Sequence, residues 1–186
     1  KADVTLIERH QVAGSASGKS GGFLARDWCD GTAVQQLAHR SFDLHAVWAE
    51  ELGNIYGYRA VDTYGAVMSA RRSLGSGGDE TVAAWLSDAA VHRSRLGTKS
   101  STAQLDPEAF TVALAEAACA RGGKMVEGAV AGLQADEAGR TRGVVLDCEE
   151  VIEAEAVVLA MGPWSVLAAQ WLPLPPVYGL KGHSVV

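Results

Sequence analysis

The sequence has few cysteines, no long apolar run and no excess of basic residues. Its three cysteines, Cys29, Cys119 and Cys148, are widely separated and lack CxxC spacing. We therefore expect neither a disulfide framework nor a zinc site. No apolar stretch approaches the roughly 20 residues that a membrane-spanning helix needs. The formal net charge of −6 cannot neutralise a phosphate backbone, so we expect no nucleic-acid partner.

The composition is that of a globular chain, with 48% hydrophobic and 20% charged residues among 186, enough for one real core. Unpaired cysteines and a start without a signal-peptide pattern predict the cytoplasm or another reducing intracellular compartment. The chain begins with Lys1 and ends in an apolar run. We expect it to be an interior piece of a longer protein.

Helical and strand-like patterns alternate in the first half of the chain, which predicts an α/β fold. Thr32 is placed to cap a long amphipathic helix that Gly53 would end. The residues from 14 to 22 are so rich in Gly and Ser that we expect a loop there. The other predicted elements are strands at 4–7, 58–61 and 64–70, the last two read as a pair, and a helix at 79–91.

The clearest local pattern lies in the second half of the chain. Asp106 is placed as an N-cap, Pro107 falls at the first helical position and Gly122 can end the helix. The remaining predicted elements are strands at 124–127, 129–135, 144–146, 151–154 and 157–160, a turn at 136–140 and a helix near Trp164.

Two positions fit the chemistry of a nucleotide site. Glu8 ends the first strand, where dinucleotide-binding folds place a carboxylate that accepts hydrogen bonds from a ribose. The matching glycine-rich turn would stand about 20 residues earlier, before Lys1. A buried strand at 157–160 that turns on Gly162 is where open α/β sheets place ligands. A solvated Glu and a plain strand–turn–helix junction are the simpler interpretations of these two features.

Four segments occur in the order found in flavoproteins similar to D-amino-acid oxidase and glycine oxidase. They are VTLIER, ASGKSGGF, the stretch from 105 to 133, and AVVLAMGPWS. The chain most resembles an uncharacterised branch of that family, in which a strand similar to GLKGHSVV occurs. The resemblance implies an FAD-dependent oxidoreductase that oxidises a small amine or amino-acid-like substrate by hydride transfer to the flavin.

The resemblance also implies the residues that bind FAD. Glu8 and Arg9 would contact the adenosine ribose, and Val130 the adenine. The loop beside the pyrophosphate and flavin would comprise Ser17, Gly18, Lys19, Ser20, Gly21 and Gly22. The turn against the cofactor would comprise Ala160, Met161, Gly162 and Trp164. No catalytic residue is implied, because the substrate-binding Tyr and Arg of the family lie further along than this sequence reaches.

A partial Rossmann-like FAD domain is expected from residues 1–57 and 105–172. Part of an antiparallel-sheet substrate domain is expected from residues 58–104 and 173–186.

Two alternatives remain open from the residues. The stretch from 13 to 20, AGSASGKS, fits a relaxed phosphate-loop pattern, and Asp147 follows an apolar strand as a magnesium-binding Asp would. These residues would make the chain an ATPase or GTPase. The other alternative is a truncated flavoprotein piece without catalytic activity, because a flavin held without its pyrophosphate turn lacks the anchor of a helix N-terminus.

Overall fold

A computed structural model describes residues 2–68, 83–86, 89–180 and 182. The chain divides into two compact units. The first comprises Lys1–Gly21 with Pro107–Val186, and the second comprises Gly22–Asp106. The predicted assignment of segments to an FAD domain and a substrate domain concerns what each part binds, and it stays a prediction.

A parallel pair of strands forms one part of the first unit. Strand β1, Thr5–Glu8, pairs with β7, Lys124–Glu127, and the register joins Glu8 to Glu127. Helix α3, Pro107–Ala120, leads into β7. Gly122 follows it with a φ of 99°, a left-handed conformation that glycine adopts without strain and that ends helices. Short helix α1, Ala16–Lys19, lies against α3.

An antiparallel sheet forms the other part of the first unit. Its order is β10–β9–β8, with β8 at Val130–Ala135, β9 at Thr141–Leu146 and β10 at Val151–Glu153. Val144 and Leu146 are buried on this sheet, as the alternation of side chains along a strand predicts. After β10 the chain runs without regular structure to a 3₁₀ helix at Gly162–Gln170.

The second unit has one helix and two small sheets. Helix α2 spans Gln35–Glu51. One sheet has the order β2–β6–β3, and the other pairs β4 with β5. The strand bounds are Phe23–Ala25 for β2, Arg59–Ala60 for β3, Thr63–Met68 for β4, Ala90–Gly97 for β5 and Thr102–Gln104 for β6.

The second unit packs around two polar-tipped side chains, Tyr56 and Thr102, which are almost completely buried. The Thr102 hydroxyl donates to the carbonyl of Val61 at 2.7 Å. The backbone N–H of Asp106 donates to the carbonyl of Tyr56 at 2.9 Å. These two bonds satisfy the Thr102 hydroxyl and the Tyr56 carbonyl in the interior of this unit.

Most of the predicted elements of the second half are confirmed. The strand at 124–127 has its predicted bounds, and Pro107 begins α3 as expected. The predicted strands at 129–135, 144–146 and 151–154 correspond to β8, β9 and β10. The strand at 4–7 is confirmed one residue later, as β1.

The predicted buried strand at 157–160 is wrong. These residues have no regular structure, and Val158 is 86% exposed. A strand needs a hydrogen-bonding neighbour, and no described strand pairs with this segment. The last predicted strand, GLKGHSVV, falls largely outside the described residues.

Three predictions of the first half need correction. The Gly/Ser stretch contains helix α1. The helix predicted at 79–91 is wrong in its described part, because residues 83–86 form turns and β5 begins at Ala90. The strands near 58–61 and 64–70 exist as β3 and β4, but each pairs with another strand rather than with the other.

The cap predicted for α2 is also wrong. The Thr32 hydroxyl donates to the carbonyl of Cys29 at 2.7 Å, and the helix begins only at Gln35. Gly53 follows the helix with a φ of 73°, which confirms it as the stop. Strands β2 and β6 were missed, because three-residue segments carry little periodicity.

Candidate functional site

The carboxyl end of the β1–β7 pair brings together Glu8 and the start of β8. The backbone N–H of Gly128 donates to the carbonyl of Glu8 at 2.9 Å. Val130 begins β8 two residues later and is half-buried. The residue predicted to bind a ribose and the residue predicted to bind adenine therefore lie at the same end of one parallel pair.

The Glu8 side chain is held by the backbone two residues further along the chain. The N–H of His10 donates to Glu8 Oε1 at 3.1 Å, which fixes the carboxylate while its other oxygen can still accept bonds. Glu8 is half-buried, whereas Arg9 is exposed. Arg9 follows the last residue of β1, and its predicted contact with the ribose stays a prediction.

A tight turn separates β1 from α1. Ala13 has a φ of 63° and is 5% exposed, and the N–H of Gly14 donates to the carbonyl of Gln11 at 3.1 Å. A Cβ on Gly18 would collide with the carbonyl oxygen of Ala13. Only glycine fits at position 18, because the obstructing atom belongs to the backbone.

Helix α1 presents the rest of the predicted loop. The N–H groups of Gly18 and Lys19 both donate to the carbonyl of Ser15 at 3.1 Å. Ser17, Lys19 and Ser20 are exposed. The helix contacts both α3 and the 3₁₀ helix. Two of the predicted cofactor segments, the Gly/Ser stretch and the one that begins at Gly162, are therefore neighbours.

Gly162 opens the 3₁₀ helix with a φ of 54°, and a Cβ at this position would meet no atom within 4 Å. The Trp164 side chain is at the surface, with the residue 53% exposed. Its backbone N–H donates to the carbonyl of Met161 at 3.0 Å. Ala160 is exposed. This turn therefore has open space beside its backbone and a large ring at its edge.

The last two glycines of the Gly/Ser stretch fall on either side of the boundary between the units. Gly21 is exposed in the first unit. Gly22 is buried in the second unit, with a φ of 64°, and its carbonyl accepts a bond from the N–H of Leu105 at 2.9 Å. The structure gives Gly22 a clear structural role within its own unit.

The geometry does not suit a phosphate loop. In that motif the Lys and Ser open a helix, whereas Lys19 ends α1 and Ser20 is extended, with a φ of −75° and a ψ of 167°. Asp147 lies in the turn between antiparallel strands β9 and β10. Its backbone N–H donates to the carbonyl of Ala129 at 2.8 Å. The alternative of an ATPase or GTPase is therefore rejected.

A cleft of about 530 Å³ lies along the β8–β9–β10 sheet, and none of its lining residues is among those predicted to bind FAD. Its lining comprises Gln134, Ala135, Asp136, Arg142, Glu153, Ala154 and Glu155. Within the described ranges, no group of three His, Cys, Asp or Glu side chains could hold a metal ion. The helices of the described part are all too short or too polar to cross a membrane.

Two residues of the site were missed from the sequence. Glu127 is the register partner of Glu8. The sequence could have indicated it, because the predicted strand at 124–127 ends at this residue. Ala13 supports the Gly/Ser stretch, but an alanine in a left-handed conformation has no recognisable sequence pattern.

Solved structures share this fold. Glycine oxidase from Geobacillus kaustophilus superposes with a TM-score of 0.73 at 21% identity, over 93% of this chain and 52% of that one. L-proline dehydrogenase from P. horikoshii superposes with a TM-score of 0.69 at 19% identity, over 90% of this chain and 48% of that one. The mixed helix and strand architecture is thus that of flavoproteins of this type, and the predicted fold class is confirmed.

The sequence comparisons agree with the structural ones. The model of a family described as FAD dependent oxidoreductase matches residues 1–186, so the chain belongs to that family, as predicted. A Schizosaccharomyces pombe protein named as an oxidoreductase is 27% identical over 98% of this chain and 51% of its own length. A D-amino acid dehydrogenase of Rhizobium johnstonii is 44% identical over 77 residues, 41% of this chain and 18% of that protein. The chain thus spans about half the length of the first relative, and less of the second.

Proposed function

We propose that this chain supplies the adenosine end and part of the flavin end of an FAD site, in an oxidoreductase that acts on a small amine or amino acid. The observation that carries the proposal is the bond from the N–H of Gly128 to the carbonyl of Glu8, at 2.9 Å. It supports the proposal because it holds a ribose-binding carboxylate and Val130 at one strand end.

The chain offers features that fit the cofactor. The Glu8 carboxylate is oriented by the N–H of His10 and has acceptor capacity left for the hydroxyl groups of a ribose. The space beside the backbone of Gly162 is open. Glycine at such points lets a ligand approach the main chain closely.

Each part of the chain would have its own task. Glu8 would accept the ribose hydroxyls, and the main chain at Val130 would bond the adenine. The exposed Ser17 side chain and the backbone of the Gly/Ser stretch would face the anionic pyrophosphate, and Trp164 would shield the ring from water. When bound, the flavin supplies the electron chemistry, as acceptor of the hydride from the carbon next to the substrate nitrogen.

The proposed substrate class follows from the relatives. One is named D-amino acid dehydrogenase and another is titled glycine oxidase. Both names describe oxidation next to an amino group, which suits the proposed chemistry.

The test uses the protein expressed from its complete gene. We expect a yellow protein that releases FAD on denaturation and whose flavin is bleached anaerobically by one of glycine, D-amino acids or L-proline. A colourless protein that takes up no FAD would refute the cofactor. A yellow protein that none of these compounds bleaches would refute the substrate class alone and would leave the non-catalytic alternative.

A pair of variants tests the residue assignment. Glu8→Gln should raise the Kd for FAD at least tenfold, because a hydrogen bond to a charged group contributes about 1.5–3 kcal/mol. Glu153→Gln is the matched control, since it also changes a glutamate that ends a strand, in β10. It should leave the Kd within twofold. Equal Kd values for both variants would remove Glu8 from the site.

A further inference from the structure

The Gly/Ser stretch cannot hold its own conformation. Helix α1 has only four residues, Ala16–Lys19, and its Ser15 cap makes no side-chain hydrogen bond. Helices this short are unstable by themselves, because nucleating the first turn costs more than one or two hydrogen bonds return. The shape of this stretch must therefore come from contacts with residues outside it.

Ala13 makes the contact that is best placed to set this shape. Its carbonyl oxygen occupies the position that a Cβ on Gly18 would need, so the Ala13 peptide packs directly on the backbone of α1. Its own side chain is only 5% exposed. Ala13 thus joins the end of the turn after β1 to the backbone at the middle of α1.

The conformation of Ala13 is also unusual. Its φ of 63° is left-handed, which alanine rarely adopts and which a β-branched side chain adopts only with severe strain. The direction in which the chain enters α1 depends on this φ. A change at position 13 is therefore passed to the N–H groups of Gly18 and Lys19 through the bonds they make to the carbonyl of Ser15.

We propose that Ala13 is a positioning residue for FAD, which fixes the Gly/Ser stretch in the shape that receives the cofactor without touching it. The inference rests on the proposed function, because the stretch must bind FAD for its shape to matter. It predicts that backbone strain at position 13 weakens FAD binding more than equal strain elsewhere in the same unit.

The experiment compares two valine substitutions at left-handed positions of the first unit. Ala13→Val strains the entry to α1. Glu149→Val places the same side chain at the exposed β9–β10 turn, where φ is 68°. We expect Ala13→Val to raise the Kd for FAD at least tenfold and Glu149→Val to leave it within twofold, as measured by flavin fluorescence on the apoprotein from the complete gene. Ala13→Gly, which adopts a left-handed φ freely, should restore the Kd to within threefold of the parent.

The outcomes separate the two proposals. A parent protein that fails to bind FAD overturns the proposed function. A parent that binds FAD, with Ala13→Val binding equally well, overturns only the role of Ala13. Circular dichroism establishes that each apoprotein is folded. If Ala13→Val does not fold, Gly18→Ala replaces it, because its methyl group would collide with the Ala13 carbonyl. This variant must raise the Kd for FAD at least tenfold. Its control, Gly132→Ala, adds a methyl group in open space and should leave the Kd unchanged.

Discussion

Glu8 and Glu127 are register partners at the carboxyl ends of parallel strands β1 and β7. Partners in neighbouring parallel strands point to the same face and are separated by about 5 Å. Two carboxylates placed in this way repel each other. The strand end that carries the proposed ribose site therefore places two carboxylates close together.

This repulsion predicts that Glu127→Gln stabilises the protein. We expect the free energy of unfolding to rise by a few tenths of a kcal/mol at low salt, and the gain to shrink in 1 M NaCl, because Glu127 is exposed and its charge is screened by salt. Urea unfolding at both salt concentrations measures it. Glu153→Gln is the control, because Gly143 is the partner of Glu153. A gain that is independent of salt would contradict the explanation.

Gly18→Ala should destabilise the protein by about 2 kcal/mol or more, because overpacking against rigid backbone typically costs 1–3 kcal/mol. The methyl group would collide with the Ala13 carbonyl. Gly132→Ala adds a methyl group in open space and should be neutral or stabilising by up to about 1 kcal/mol. Thermal and urea unfolding of both variants check the difference. Equal stabilities of the two variants would show that the Ala13 carbonyl can move away from a methyl group at position 18 at little cost.

Asp136 should make stability depend on acid pH. Its carboxylate accepts bonds from the N–H of Arg140 at 2.9 Å, the Arg142 side chain at 2.8 Å and the N–H of Ala138 at 3.0 Å. These bonds, that of Arg140 foremost, hold the pKa of Asp136 below its ordinary value of 3.8. The folded state therefore favours the charged carboxylate. This stabilisation is fully present above the ordinary pKa of the group, and it is lost as the pH falls through the lowered pKa of the folded state.

We expect Asp136→Asn to be less stable than the parent at pH 7, and the difference to narrow as the pH falls below about 4. Urea unfolding from pH 7 to pH 2 measures the two stabilities. A difference that stays constant over this range would show that the charge on Asp136 is not what stabilises the turn.

Arg93 should stabilise the turn at 83–86 in the second unit. Its guanidinium donates to the carbonyls of Ala90 at 3.0 Å, Leu86 at 3.2 Å and Ala83 at 3.4 Å. Arg93→Met removes these charge-assisted bonds and should cost about 1–3 kcal/mol. Urea unfolding measures the loss, and hydrogen exchange should rise at this turn.

The matched control for Arg93→Met is Arg95→Met. The Arg95 guanidinium is exposed and lies 5.5 Å from the centre of the Tyr64 ring, with a bond to its hydroxyl. Exposed contacts of this kind contribute up to about 1 kcal/mol. If Arg95→Met lowered the free energy of unfolding more than Arg93→Met does, the greater contribution assigned to Arg93 would be wrong.

The elements that could be predicted from sequence are those with local signals. Helix α3 has Pro107 at its first position and Gly122 after its end, so its bounds follow from neighbouring residues alone. Strand β5 shows the opposite case. Its residues include His92, Arg93 and Arg95, and its strand conformation comes from pairing with β4, which no local pattern reveals.

The site was predictable to a similar extent. The position of Glu8 at a strand end follows from its neighbours. Its bond to Gly128 joins residues far apart in sequence, and only the parallel register of β1 and β7 creates it. The contact between Ala13 and Gly18 is local, but it depends on a backbone angle that residue types do not specify.

The apolar segment at 157–160 has a consequence for aggregation. Its four residues, Val157, Val158, Leu159 and Ala160, are apolar and uncharged, and Val158 is 86% exposed. Short β-prone segments without charge or proline add to strands of other molecules and start aggregates. At high protein concentration we therefore expect this segment to promote aggregation, and Val158→Lys should reduce it, because a charge in a β-prone segment opposes pairing with other molecules.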